Sequence, residues 1–357
     1  MQSAFIHGVA VSTGWADASR SLTDLIFNGV TAALADARVD IADVDSVVLA
    51  SHDLIDGLSL SSMVTAPAAG AYLRDEIRLS EDSLAAASLG AARIQAGESR
   101  FTLVAAWGRG SEGDQDATER AAFDPFSVQP FGLREIDVSA LRLSAWLQRF
   151  GSRQVEREAA ALARMARAAR NSRALAGHPP HSTPPFPLHH NEGPVLADIV
   201  VAAVLGSDPS PVRITGFGHS TDVSNIGERD LLGMPSLTEA VSRALAEANR
   251  SILDIDLFEI DGLTLPDEAI GLEALKIAPP GAGFDIYARS SAINPSGGSA
   301  AGSCYPTMGL NRLAECYLQL TGRANGVQLT QRPVRAIAVG TSPVAAQVHA
   351  AAVLEVQ

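Results

Sequence analysis

Asn294-Pro-Ser-Gly-Gly298 leads through a loop of small and polar residues, Ser299–Thr307, into Gly309-Leu-Asn-Arg-Leu-Ala-Glu-Cys-Tyr-Leu-Gln-Leu320. The glycine pair lets backbone come close to backbone or to a ligand. The loop carries hydroxyl, thiol and phenol groups to the mouth of a helix, and Gly322 supplies a glycine stop at the far end of that helix. Helix N-termini present unpaired N–H groups and positive potential, which makes this junction a candidate site.

Working outward, the chain repeats itself. Ala33-Leu-Ala-Asp-Ala-Arg-Val-Asp-Ile-Ala-Asp-Val-Asp45 runs into the apolar Ser46–Ala50, and Ala244-Leu-Ala-Glu-Ala-Asn-Arg-Ser-Ile-Leu-Asp-Ile-Asp256 runs into Leu257–Ile260. Each copy reads as a helix end, an acidic connector and a buried strand. Ser21-Leu-Thr and Ser236-Leu-Thr open the two helices, with Asp24 and Glu239 three residues on, as a capping box requires. Leu84–Gly97 and 309–321 are small-residue helices followed by the strands Phe101–Ala106 and Val334–Gly340, and both helices are expected to lie buried between sheets. The chain divides into an N-terminal half (1–119), an inserted loop region (120–208) and a C-terminal half (209–357).

The composition sets limits. Apolar residues make up 46 % of the 357 residues and aromatics 5 %, so the core is built from Ala, Val, Leu and Ile. A net charge of −13 argues against nucleic acid or an anionic membrane as partner. Cys304 and Cys316 are too few for a disulfide framework or a zinc cluster, and His178, His181, His189 and His190 are too interrupted by proline for a metal site. No basic leader and no apolar run of spanning length is visible, so a cytoplasmic location is expected. No Walker loop, dinucleotide fingerprint or hydrolase elbow appears. From Arg134 to Arg173 nine arginines face four acids, a local cationic excess inside an acidic protein.

The duplicated halves and the Asn294–Gly298/Gly309–Gly322 signature resemble the thiolase superfamily, in its sterol-carrier-protein thiolase and thiolase-like aldolase branch. The resemblance implies an α/β fold of five layers, αβαβα, with an inserted loop domain and a cavity where the two halves meet. It also implies coenzyme A as part of the substrate, with no tightly bound cofactor and no metal. The residues that do thiolase chemistry are mostly replaced. The nucleophilic cysteine's place falls on Ser80, in Arg78-Leu-Ser-Glu-Asp-Ser83, where Ser80 or Asp82 reads first as a helix cap. Asp261 takes the place of the oxyanion-hole Asn or His. Gly302-Ser-Cys304 takes the place of Gly-His-Pro, with Tyr305 beside it, and thiolase-like aldolases carry a proton-transferring tyrosine in this loop. That tyrosine's own position falls on Pro306, one residue away. The last turn, Gly340-Thr-Ser-Pro343, also departs from the family pattern.

Candidate catalytic residues are therefore Tyr305, Ser303, Cys304, Asp261 and Ser80. Asn294, Gly297 and Gly298 are candidates for substrate contact, and Arg142, Arg149 and Arg153 for the phosphates of coenzyme A. His52, Asp53 and Trp107, at predicted strand ends, are candidates for the cavity wall.

Two functional readings stand side by side. One is C–C bond cleavage of retro-aldol type on an acyl-CoA, which needs no cysteine nucleophile. The other is a catalytically degenerate subunit, paired with an active thiolase paralogue or with a zinc-ribbon/OB-fold acyl-CoA-binding protein. Thiolase-type acyl transfer comes third, because it needs Ser80 to act as a thiolate does. A homodimer or heterodimer is implied in each case.

Overall fold

The computed structural model describes residues 2–58, 60, 62–175, 183–342 and 344–357, except the side chain of Ser62. His178, His181 and Pro343 lie outside the described residues. Nine strands form one sheet, in the order β3-β2-β4-β5-β1-β6-β9-β8-β7. They are β1 (Ala4–Gly14), β2 (Ser46–Ala50), β3 (Asp75–Leu79), β4 (Phe101–Arg109), β5 (Asp198–Gly206), β6 (Val212–Thr221), β7 (Leu257–Ile260), β8 (Arg335–Ser342) and β9 (Val348–Val356). The helices are α1 (Leu22–Ala37), α2 (Ser62–Ala68), α3 (Ser83–Ala96), α4 (Gln115–Ala122), α5 (Glu135–Phe150), α6 (Gln154–Arg170), α7 (Pro235–Glu247), α8 (Leu265–Ala274), α9 (Gly283–Arg289) and α10 (Met308–Thr321).

The sheet carries the duplication in its register. β1, β5, β4 and β2 pair antiparallel, antiparallel and parallel in turn, and β6, β9, β8 and β7 repeat that sequence. The halves join where β1 meets β6. Both joining strands bulge at their third residue, between Ile6 and Gly8 and between Ile214 and Gly216. A Cβ on Gly8 would fall 2.3 Å from the backbone of Ala37, and one on Gly216 would fall 2.1 Å from that of Ala244. Only glycine lets the outer helices α1 and α7 sit this close. In place of a counterpart to β3, Phe258 pairs with Ile293 in a single parallel bridge.

Alternation along the strands sorts the layers, because successive side chains point to opposite faces. Val48, Ala50, Val104 and Ala106 from one half, with Ala336, Ala338, Ala350 and Ala352 from the other, pack on α3 and α10. The intervening Val47, Leu49, Leu103 and Ala105 pack on α1, and Ile337, Val339, Ala351 and Val353 pack with α7. The two halves of the sheet thus enclose the paired helices, in the order helix, half-sheet, paired helices, half-sheet, helix, as the resemblance implies. Among the described residues no helix is long and apolar enough to cross a membrane.

Three expectations need correcting. Ser21 and Asp24 do form a capping box, but α7 begins at Pro235 after Met234, so Ser236 lies inside the helix and its hydroxyl meets His349 Nδ1 at 2.9 Å. β5, inside the region read as an insertion, is an interior strand of the first-half sheet between β4 and β1. Three arginines of the stretch read as a cationic excess are not free to meet an anion. Arg157 pairs with Glu192, Arg164 donates to the carbonyls of Glu192 and Gly193 and to Ser299, and Arg167 donates to the carbonyls of Tyr287, Ser290 and Ile293. All three are buried. Arg157 ties α6 to Glu192 within the insertion, while Arg164 and Arg167 dock α6 onto the C-terminal half.

Candidate functional site

The two central helices start at the same place, and one residue ties them together. Asp82 is the N-cap of α3, accepting from Leu84 N at 2.9 Å, while its other carboxylate oxygen accepts from Gly309 N of α10 at 2.9 Å. Ser83 Oγ accepts from Leu310 N at 2.9 Å, and Ser83 N donates to Pro306 O. A Cβ at Gly309 or Gly340 would lie 1.8 or 2.0 Å from Asp82 Oδ1, so the carboxylate occupies a slot that only two glycines leave open. The N–H groups of Leu84, Gly309 and Leu310 at the helix starts are therefore already taken, by Asp82 and Ser83.

Beside this clip lies a cavity of about 130 Å³. Its walls come from His52 and Ile55 beyond β2, from α4 and the first turns of α5, from Asp261–Leu263 beyond β7, from Ser303, Tyr305 and Met308, and from Thr341, Ser342, Ala345, Ala346 and His349. Ala345 and Ala346 both adopt left-handed φ of 56°, and Ala345 N is held by the Glu135 carboxylate. The sequence reading missed Glu119, Glu135 and His349. Their partners lie far away in sequence, and nothing local marks them.

Burial dominates the electrostatics. It pushes Asp261 up to about 7, with the Arg312 guanidinium opposing the shift and Glu268 and Asp267 adding to it. Asp82 is pushed up to about 8 by burial and then by the charge of Asp261, against its backbone N–H partners. Burial also raises Glu135 to about 8 and lowers His349 to about 3. The Tyr305 phenol is raised by burial and by nearby Asp82 and Glu81, so it stays protonated. The cavity thus holds carboxyl groups able to take or give a proton near neutrality, next to a phenol that can only donate.

Of the candidate catalytic residues, Tyr305, Ser303 and Asp261 line this cavity together. The Tyr305 hydroxyl donates to the carbonyl oxygen of Ser80, so those two residues meet as the duplication demands. The Ser80 side chain instead borders a separate recess with Ser51, His52, Asp53, Arg78 and Leu79. Cys304 is buried against β4, where a Cβ on Gly108 would come within 2.5 Å of its sulfur, and burial raises its thiol far out of the reactive range. Neither Ser80 nor Cys304 presents a nucleophile to the cavity. Of the strand-end candidates, His52 lines the cavity, whereas Trp107 is fully buried and donates to Asp56 at 3.0 Å.

The expected substrate contacts are structural. Asn294 accepts from Ile260 N at 2.7 Å and donates to Ile260 O at 2.9 Å, completing the edge of β7. Gly297 makes room for Ala168 of α6, and Gly298 makes room for the Glu268 carboxylate. Arg142 lines the cavity, but its guanidinium is held by Asp267 and by Leu231 O. Arg149 lies over the ring of Phe150 at 5.3 Å, and Arg153 pairs with Glu156 at 3.4 Å.

Comparison with known proteins agrees with this architecture. Residues 218–355 match the family model described as Thiolase C-terminal domain-like. Among solved structures, the "Ltp2-ChsH2(DUF35) aldolase" superposes with a TM-score of 0.82 at 19 % identity, over 99 % of this chain and 98 % of that one. Human mitochondrial 3-ketoacyl-CoA thiolase superposes with a TM-score of 0.72 at 17 % identity, over 100 % and 99 % of the two chains. Its complex with CoA gives 0.73 at 17 % identity, over 100 % and 98 %. No curated protein matches the sequence. The chain therefore has a thiolase-like fold from end to end, and its residues 218–355 match the Thiolase C-terminal domain-like family model.

Proposed function

We propose that this protein acts on an acyl-CoA thioester without forming an acyl-enzyme, cleaving a β-hydroxyacyl-CoA by a retro-aldol step. The observation that carries the reading is Asp82. The carboxylate capping α3 clips the two helices together, and the cavity beside it holds an acid–base pair, Asp261 and Tyr305, instead of a thiolate. Asp261 takes the proton of the substrate's β-hydroxyl. The Cα–Cβ bond then breaks, leaving an aldehyde or ketone and the enolate of a shortened acyl-CoA. Tyr305 protonates that enolate at Cα, and the proton on Asp261 returns to Tyr305. With those helix N–H groups occupied, Ser303 is the cavity hydroxyl placed to donate to the enolate oxygen. Ser342 Oγ accepts from Asp82 N at 2.8 Å and hydrogen-bonds the Tyr305 phenol. Thiolytic acyl transfer would need Ser80, whose side chain stands outside the cavity.

The test is direct. Purified protein is incubated with β-hydroxyacyl-CoA esters, and the carbonyl compound and shortened acyl-CoA are quantified by mass spectrometry. Equal amounts of both products support the reading. No turnover, combined with no calorimetric binding of any acyl-CoA, sinks it.

A second reading, a subunit completed by a partner, rests on charge. A second recess shares Gln115, Glu119 and Leu263 with the cavity and has Asp116 on its wall, and the exposed Glu112 and Asp114 lie close by in sequence. Coenzyme A phosphates need cations, and the buried arginines do not supply them here. A partner chain bringing basic residues, such as a zinc-ribbon/OB-fold protein, would complete the entrance. The edge strand β3 and the exposed Leu60, Met63, Val64, Tyr72 and Leu73 beside it offer a face for a second thiolase-like chain, identical or paralogous. A cytoplasmic setting accords with the two free thiols.

A further inference from the structure

Behind Asp261, away from the cavity, the protein buries more charge than it pairs. Arg312 is 1 % exposed. Its Nη1 donates to Glu259 Oε2 at 3.1 Å and to Ser296 Oγ at 2.7 Å. Its Nε and Nη2 have no partner, and neither does Arg164 Nε, while the Tyr287 hydroxyl meets the Glu268 carboxylate. All four side chains are at most 1 % exposed. They also form one neighbourhood: Arg164 pairs with Glu268, and Glu268 acts electrostatically on Tyr287, Arg312 and Asp261.

Three orphaned guanidinium nitrogens in one buried region are a heavy desolvation penalty, and proteins relieve such penalties with internal water. The glycines around Glu268 show that the packing was opened for it. A Cβ on Gly298 would fall 2.3 Å from Glu268 Oε1, and one on Gly262 would fall 2.9 Å from Glu268 Cγ.

We propose that ordered water bridges the free Nη2 of Arg312 to the Asp261 carboxylate, making Arg312 the positioning residue that holds Asp261 in place from behind the cavity. This deepens the retro-aldol reading, because it rests on Asp261 as the group that takes the proton. Arg312 never touches the substrate. Its countercharge opposes Asp82 from α3 and Asp267 and Glu268 from α8, which all disfavour a charged Asp261. Arg142 and His349 also line the cavity. Arg142 is committed to Asp267, and His349 stays neutral over the working range.

The experiment reads Asp261 itself, so it does not depend on turnover. Difference infrared spectra of the full chain against Asp261→Asn isolate the Asp261 carboxyl band, which is titrated between pH 5 and 9. The double variant Arg312→Met/Glu259→Gln removes the buried pair without stranding either charge. It is expected to raise the Asp261 midpoint by about one pH unit or more, while Arg312→Lys keeps it near the wild-type value. An unchanged midpoint in the folded double variant overturns the proposal. If the double variant does not fold, a high-resolution crystal structure of the wild type decides: water joining Arg312 Nη2 to Asp261 supports the proposal, and a dry gap there ends it. A protein that shows the shift but cleaves no β-hydroxyacyl-CoA keeps this inference and loses the retro-aldol reading.

Discussion

At the scale of single residues, the site depends on which protons can move. Tyr305→Phe removes the only phenol among the described cavity residues yet keeps its ring near His52, whose centroid is 6.2 Å away. We expect kcat/KM for β-hydroxyacyl-CoA cleavage to fall by ~10²–10³-fold, with an unchanged thermal melt. Asp261, pushed up to about 7, must lose its proton to act as a base, so kcat/KM should climb as pH rises through about 7. That limb should vanish in Asp261→Asn, as a pH–rate profile of both proteins would show. Asp82 works in the opposite direction for stability. Its carboxyl, at about 8 when folded, still holds a proton that the unfolded chain gives up near ordinary carboxyl values. Stability from this group is therefore full at low pH and is lost as pH rises towards 8 and beyond. Denaturant melts at pH 5 and 8.5 should show that decline in the wild type and a shallower one in Asp82→Asn.

Helices and loops set the next scale. The clip between α3 and α10 works only because Gly309 and Gly340 leave space for Asp82. Either glycine changed to alanine drives a methyl group into that carboxylate and should cost ~1–3 kcal/mol, seen as a lower urea midpoint with an unchanged slope. The insertion depends on buried ion pairs. Arg157→Met strands Glu192, which is 1 % exposed, and should cost ~3–5 kcal/mol. The double change Arg157→Met/Glu192→Gln should recover much of that loss, because it leaves no unpaired charge. The repeat of Leu-Ala-x-Ala helices and acidic connectors was legible in the sequence because both copies solve the same packing problem. The docking role of the α6 arginines was not, because a cationic helix face looks the same whether carbonyls or water lie opposite it.

For the whole molecule, the open question is what covers its edges. Among the described residues β3 ends the sheet with its outer side unpaired, and Met63 and Tyr72 nearby are 78 % and 70 % exposed. If this face joins a second chain, light scattering will show a dimer, and Met63→Glu or Tyr72→Glu will shift it to monomer while leaving the circular dichroism spectrum unchanged. A monomeric wild type at micromolar concentration would remove the homodimer and leave only a heteromeric partner.

The sequence by itself determined the duplicated α/β halves, the buried pairing of the two small-residue helices, and the meeting of Tyr305 with the Ser80 segment. The first two follow from local periodicity repeated twice along the chain, and the third from the family resemblance of the two segments. Tertiary structure alone decided which polar residues face the cavity. It turned Asn294, Arg142 and Cys304 into packing and pairing groups, made Asp82 the clip, and brought in Glu135 and His349 from distant elements. A carboxylate's role depends on what buries it and what charge stands beside it, and those neighbours come from far along the chain.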